Sequence, residues 1–150
     1  MKYRYLVIMA ITVVAAILSE ECFAQTARPY HNGSVWGVSF IRIKPGMETA
    51  YLNYIATEWK RIQEAEKKEG RILSYKVLST ESHAPADWNL MLMVEYKDLA
   101  TMEANEAKED AMMQKLVGTD EKQRQGYRER LEIREIIQDR LAREVVLEPR

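Results

Sequence analysis

The chain has 150 residues, 22 Lys and Arg against 23 Asp and Glu, a formal net charge of -1 and 47% hydrophobic residues, a globular composition of single-domain length. The near-zero charge argues against a general affinity for DNA or RNA. One cysteine excludes an internal disulfide and any multi-cysteine metal site.

Met1-Lys2-Tyr3-Arg4 is a short basic start, and Tyr5 to Leu18 is an apolar run broken only by Thr12. Ser19, Glu20 and Glu21 then lead to Cys22-Phe23-Ala24. This is the layout of a secretory signal peptide, with cleavage expected after Ala24. The run is shorter than the roughly 20 residues that span a bilayer, so no stable membrane anchor is expected once 1–24 is removed. Glu21 stands before Cys22 where a lipidation site has a small residue. The short basic region has the bacterial style, which makes the periplasm or the medium the expected destination. Cleavage also removes Cys22, so the exported domain has to hold together by packing alone.

Residues 25–34 show no apolar period and read as an extended leader before a single domain over 35–150. Val35 to Ile43 is rich in β-branched and aromatic residues and predicts a strand, stopped by Lys44-Pro45-Gly46. Met47 to Glu69 has helical spacing, with Tyr51, Tyr54, Ile55, Trp59 and Ile62 on one face, and Gly70 suits its C-terminal cap. Arg71 to Ser79 predicts a second strand, and Trp88 to Tyr96 a third after a loop containing Pro85. Leu99 to Val117 predicts a helix ended by Gly118. Asp120 and Gln123 resemble a capping box that opens a further helix through about Ile137. Leu141 to Leu147 predicts the last strand. No internal repeat or low-complexity tract is present.

The order is β-α-β-β-α-(α)-β, an α+β class with a four-stranded antiparallel sheet and helices on one face, the ferredoxin-like arrangement. The third strand is apolar on both sides, so the face away from the helices is expected to be buried as well, most simply against a second copy.

The candidate chemistry is sparse. The two histidines are His31 and His83. No HExxH, helical His pair or Glu-x-x-His accompanies them, so no metal is expected. His83 is the better acid–base candidate, because an unperturbed histidine titrates near neutral pH. There is no G-x-S-x-G, Walker sequence or GxGxxG, which disfavours hydrolase triads and nucleotide binding, and no cofactor is expected. Arg42, Lys76, Glu95, Arg143 and Glu144 fall within predicted strands. If the sheet is covered on both faces, Glu95 needs Lys76 or Arg143 as an ion-pair partner, or else marks a polar point in a pocket, where it joins His83 as a candidate catalytic group. The two phenylalanines are Phe23 and Phe40, so after cleavage nearly every aromatic group carries a polar end. Trp36, Tyr54, Trp59, Tyr75, Trp88 and Tyr127 are therefore the candidate lining of a ligand pocket, where buried Tyr and Trp find hydrogen-bond partners.

The FIRIKPGME junction, the helix after it, ILSYKVLS and LMLMVEYKDLATME together resemble the dimeric α/β-barrel superfamily over about Val35 to Leu147. That resemblance implies two sheets paired across a homodimer, with a cavity between helices and sheet in each subunit. The superfamily includes cofactor-free oxygenases, haem-degrading oxygenases, lactone isomerases and binding proteins. The haem degraders use an Asn on the first strand, a Trp on the third and a His on the second helix. Trp88 lies near the matching strand, but Val35 to Ile43 has no Asn and Leu99 to Val117 no His, which makes haem degradation improbable. The expectation is an exported homodimeric binding module for a small, partly apolar ligand or a protein partner. The alternative is a cofactor-free oxygenase or isomerase using a Tyr or His83 for proton transfer.

Overall fold

The computed structural model describes residues 28–84, 86–104 and 106–148; the expected signal peptide lies outside them. The domain over Tyr30–Glu148 starts with β1 (Tyr30–Ile43). Next come α1 (Glu48–Tyr54), a π turn (Ile55–Trp59) and α2 (Lys60–Lys68), followed by β2 (Ser74–Ser79) and β3 (Leu90–Tyr96). Helices α3 (Leu99–Ala104), α4 (Glu106–Leu116) and α5 (Asp120–Ile133) lead to β4 (Arg134–Leu147). The strands form one sheet in the order β2-β3-β1-β4, with every neighbouring pair antiparallel.

The register decides which side chains share a face. Ile41 stands opposite Leu90 and Ile136, and Ser39 opposite Leu92, so these residues point to one side. That side is the core: Ile41, Ile43, Leu90 and Leu92 pack with Tyr51 and Ile55, flanked by Tyr54, Trp59, Ile133 and Ile136. Tyr51, Ile41 and Leu90 are its most completely buried large side chains. The opposite, open face of the sheet carries Trp36, Val38, Phe40, Met91 and Met93, with Trp88 edge-on to Phe40 at 5.1 Å between ring centres.

Several boundaries differ from the sequence-based expectations. β1 begins at Tyr30, inside the stretch expected as a leader, because it pairs with the end of β4 (Tyr30 opposite Leu147, His31 opposite Val146). Beyond Val35 this pairing has no β3 beside it, and the two strands continue as a ribbon. Gly33 lets Glu144 lie close against the ribbon there, since a Cβ would come 2.5 Å from its carboxylate oxygen. β2 starts only at Ser74, because the Arg71 N–H donates back to the Glu66 carbonyl in the turn after α2 (3.0 Å). The last helix ends at Ile133 rather than Ile137, and β4 takes up 134–140 as well. That helix is capped by Thr119, whose hydroxyl accepts the Lys122 N–H at 3.4 Å, in place of Asp120.

Truncation of Ile41 or Leu90 to Ala removes a side chain at the centre of this core. Each substitution is expected to lower stability by about 2–5 kcal/mol, read as a shift of the urea unfolding midpoint at unchanged slope.

Candidate functional site

The α1–π–α2 segment and α5 enclose an open groove of about 940 Å³. Its apolar lining comes from Tyr54, Ile62, Met113, Val117, Tyr127 and Ile133. The π turn is supported by Thr57, whose hydroxyl donates to the Asn53 carbonyl at 2.7 Å. Such side-chain bonds divert carbonyls from the regular helical ladder.

At one end of the groove lies a cluster of tyrosines and arginines. Tyr51 and Tyr54 stack at 5.9 Å and 20°. The Arg130 guanidinium sits 4.9 Å from the Tyr54 ring centre and 6.0 Å from that of Tyr127. The Arg134 guanidinium sits 5.7 Å from Tyr51 and 5.9 Å from Tyr127. Burial pushes the Tyr51 phenol up to about 12, the nearby Arg134 partly opposing it, and burial raises Tyr54 too, against Arg130 and Arg134. Both phenols are therefore neutral hydrogen-bond donors at neutral pH.

Arg134 is placed by the backbone. It follows α5 directly, is already extended (φ -150°, ψ 165°) and stands opposite Ile43 in the sheet, so its side chain enters the core face. It is 6% exposed, and its Nε and Nη1 have no hydrogen-bond partner. A cation over an aromatic ring contributes about 0.5–2 kcal/mol. A buried donor left unpaired costs about 1–3 kcal/mol. The rings therefore offset only part of the cost of burying this guanidinium. Arg130 folds back along its own helix past Gly126, where a Cβ would come within 3.2 Å of its Nη1. A glycine inside a helix costs about 0.5–1 kcal/mol relative to Ala. At Gly126 that cost leaves room for the Arg130 head.

A second, smaller cavity of about 340 Å³ lies between the sheet and the helices, lined by Gly37, Ser39, Trp59, Leu92, Tyr96 and Asp139. Ser39 and Asp139 are cross-strand partners, and the Ser39 hydroxyl donates to the Asp139 carboxylate. Near Tyr96 a buried polar set gathers. Arg71 pairs with Glu69 at 2.6 Å and reaches the Met112 sulfur, while Gln63 Oε1 and Arg71 Nε lack partners. Glu66 is 6% exposed; burial, then Glu109, push its carboxyl up to about 7, Arg71 opposing. Burial, with Glu66 and Glu109 adding to it, raises the Tyr96 phenol to about 12.

The six aromatic candidates occupy three places. Tyr54 and Tyr127 line the groove. Trp59 lines the smaller cavity and meets Tyr75 edge-on at 5.3 Å, the Tyr75 hydroxyl donating to Glu64. Trp36 and Trp88 belong to the open face, where the Lys76 ammonium lies 5.0 Å from the Trp36 ring centre. Glu95 shares that face opposite Trp36 and accepts from the Ser74 hydroxyl, so the expected ion pair with Lys76 or Arg143 does not form. His83 is exposed in the loop before β3, its backbone N–H donating to Asp87 at 3.0 Å. Glu66, Arg130 and Arg134 were not singled out from the sequence, and Tyr51 was read as part of the helix's apolar face rather than as a candidate site residue. The Tyr51/Tyr54 and Arg130/Arg134 spacings, three and four residues, were the available signal.

Among the described residues no group of three or more His, Cys, Asp or Glu side chains could hold a metal ion. No helix of the described residues is long and apolar enough to cross a membrane.

No family model matches the chain, and no curated protein sequence matches it. Solved structures do. A NIPSNAP family protein of unknown function from Agrobacterium tumefaciens aligns with a TM-score of 0.50 at 16% identity, over 79% of this chain and 92% of its own. The chain has a ferredoxin-like fold. HapK from Hahella chejuensis aligns at 0.49 and 10% identity, over 73% of this chain and 91% of its own. A dimeric ferredoxin-like protein from an uncultured marine organism aligns at 0.42 and 13% identity, over 79% and 99%. At these identities the likeness extends to the fold.

The shift of Glu66 has a sign that can be tested. Its folded value lies above the ordinary 4.5, so between 4.5 and about 7 the native state holds a proton that the unfolded chain has lost. This contribution to stability is complete below the unfolded value and is lost as pH rises through about 7. Glu66→Gln carries no charge at any pH. It is expected to raise the melting temperature at about pH 8 relative to the parent, by a margin that shrinks towards about pH 5. An equal difference at both pH values would show that Glu66 does not titrate between them.

Proposed function

We propose that the protein is an exported, homodimeric binding module for a small, partly apolar ligand. The observation that carries the reading is the groove between α1–π–α2 and α5, about 940 Å³ and walled by Tyr54, Tyr127, Ile62 and Ile133. Pockets that hold small molecules are of this size, mainly apolar with a few convergent polar groups. The open face of the sheet supports the homodimer, since the half-buried Trp36, Phe40, Met91 and Met93 form an apolar band that a second copy would cover. The signal-peptide layout of 1–24 supports export.

A second reading, a cofactor-free oxygenase or isomerase, is favoured by one feature. A carboxyl raised to about 7 is poised for proton transfer near neutral pH, and Glu66 has that property close to Tyr96 and the smaller cavity. In that reading Glu66 replaces His83 and Glu95 as the acid–base group. A substrate turned over by the parent and not by Glu66→Gln would select this reading over simple binding.

Native mass spectrometry of the protein recovered from an exporting host tests the main reading. The expected result is a dimer of chains beginning at Gln25, carrying additional non-covalent mass that is released on activation. A monomer at micromolar concentration would remove the homodimer, and a first residue other than Gln25 would move the cleavage site.

A further inference from the structure

Cations outnumber carboxylates along the groove: Lys122, Arg124, Arg128 and Arg130 line it with Glu58, which pairs with Arg61, and Glu129, which accepts from Gln125. Arg124 and Arg128 on the rim are both held by Glu121 at 2.9 Å. Arg130 and Arg134 have no carboxylate partner among the described residues; tyrosine rings are what they face. Arg134 is also more than nine-tenths buried with two unpaired N–H donors. Arg134 is not itself in the groove wall; the Tyr127 ring it faces lines the groove and is 45% exposed.

We infer that this end of the groove binds the acidic group of a planar aromatic acid, with Arg130 and Arg134 on the carboxylate and Tyr54 and Tyr127 against the ring. The inference rests on the groove being the ligand site and adds the class of ligand. Guanidinium groups match a carboxylate geometrically, because their planar N–H forks meet both oxygens. A free carboxylate supplies the acceptors that Arg134 lacks. The phenol of Tyr54, which lines the groove and is neutral at neutral pH, is a donor to an anion rather than a competitor for the arginines. The aromatic body is set by the walls, since Tyr54 and Tyr127 offer flat faces and Ile62, Met113, Val117 and Ile133 offer no polar partner. Tyr127 is the movable part: exposed on one side and held by two cations, it can turn from Arg134 as the acid takes its place.

Titration calorimetry of the exported protein with 2-naphthoate and with 2-naphthamide tests this. The two probes share shape and apolar area and differ in charge. The acid is expected to bind at least about tenfold more tightly than the amide. Arg130→Gln and Arg134→Met are expected to abolish that preference while leaving amide binding in place. Gly126→Ala, which keeps every charge and favours the helix, is expected to weaken the acid alone by crowding Arg130, and so keeps the test open if Arg134→Met fails to fold. Equal affinity for both probes, or a preference that survives Arg130→Gln and Gly126→Ala, overturns the inference and leaves the groove as a ligand site. Binding of neither probe overturns the inference together with the groove.

Discussion

The step from Ile133 to Arg134 is the constraint on which the domain depends. A helix that runs straight into a strand has no loop to absorb errors, so both the last turn of α5 and the first pair of β4 must be fixed at once. One backbone bond does this: the Lys44 N–H donates to the Ile133 carbonyl at 3.0 Å. It ties the end of β1 to the end of α5, sets Arg134 opposite Ile43 and Ile136 opposite Ile41, and so delivers an arginine and an isoleucine to the core side of the sheet. Reversing the register by one residue would put Glu135 there instead. The position of α5, the width of the groove and the depth of Arg134 all follow from that junction.

The legibility of the sequence followed the clarity of its periods. β1 and β3 were readable because their β-branched and aromatic residues are continuous and their stops are strong. The helix over 48–68 was readable from its apolar face, though nothing in that spacing announced the π turn. The start of β4 was hidden for a specific reason. Leu131, Ile133, Ile136 and Ile137 continue a helical spacing, and no Gly or Pro interrupts them. The alternation that would have revealed a strand is broken by a bulge, since Phe40 pairs with Gln138 and Ile41 with Ile136, leaving Ile137 as the extra residue. Missing that boundary also hid Arg134, which in a continued helix would have been one more surface charge. Aromatic residue type alone named Tyr54 and Tyr127 but could not divide the candidates between the two faces of the sheet. That division is set by odd and even positions in a register visible only once the strands pair.

The two cavities differ in origin. The groove lies between the α1–π–α2 segment and α5, and side chains wall it. The smaller cavity exists because two successive positions on the core side of β1, Gly37 and Ser39, have little or no side chain, while Trp59 and Tyr96 reach over the gap. Near Tyr96, which lines it, Glu66 is buried and Gln63 and Arg71 are buried with incomplete pairing. A domain that only needed to be stable would fill such a site with apolar residues, which lack this desolvation cost.

The pairing of β1 with β4 also governs when the fold can form. β1 lies inside the sheet, between β3 and β4, yet one of its two neighbours, β4, is the last of the sheet's strands to be made. Contacts such as Ser34 with Glu144 join residues 110 apart. Closing loops of that length comes late, and topologies dominated by such contacts fold slowly. Until its final strand arrives, the chain has no partner for one edge of its central strand and no Arg134 beneath its tyrosines. The nascent polypeptide therefore stays uncommitted until β4 has been made, its central strand paired along one edge only.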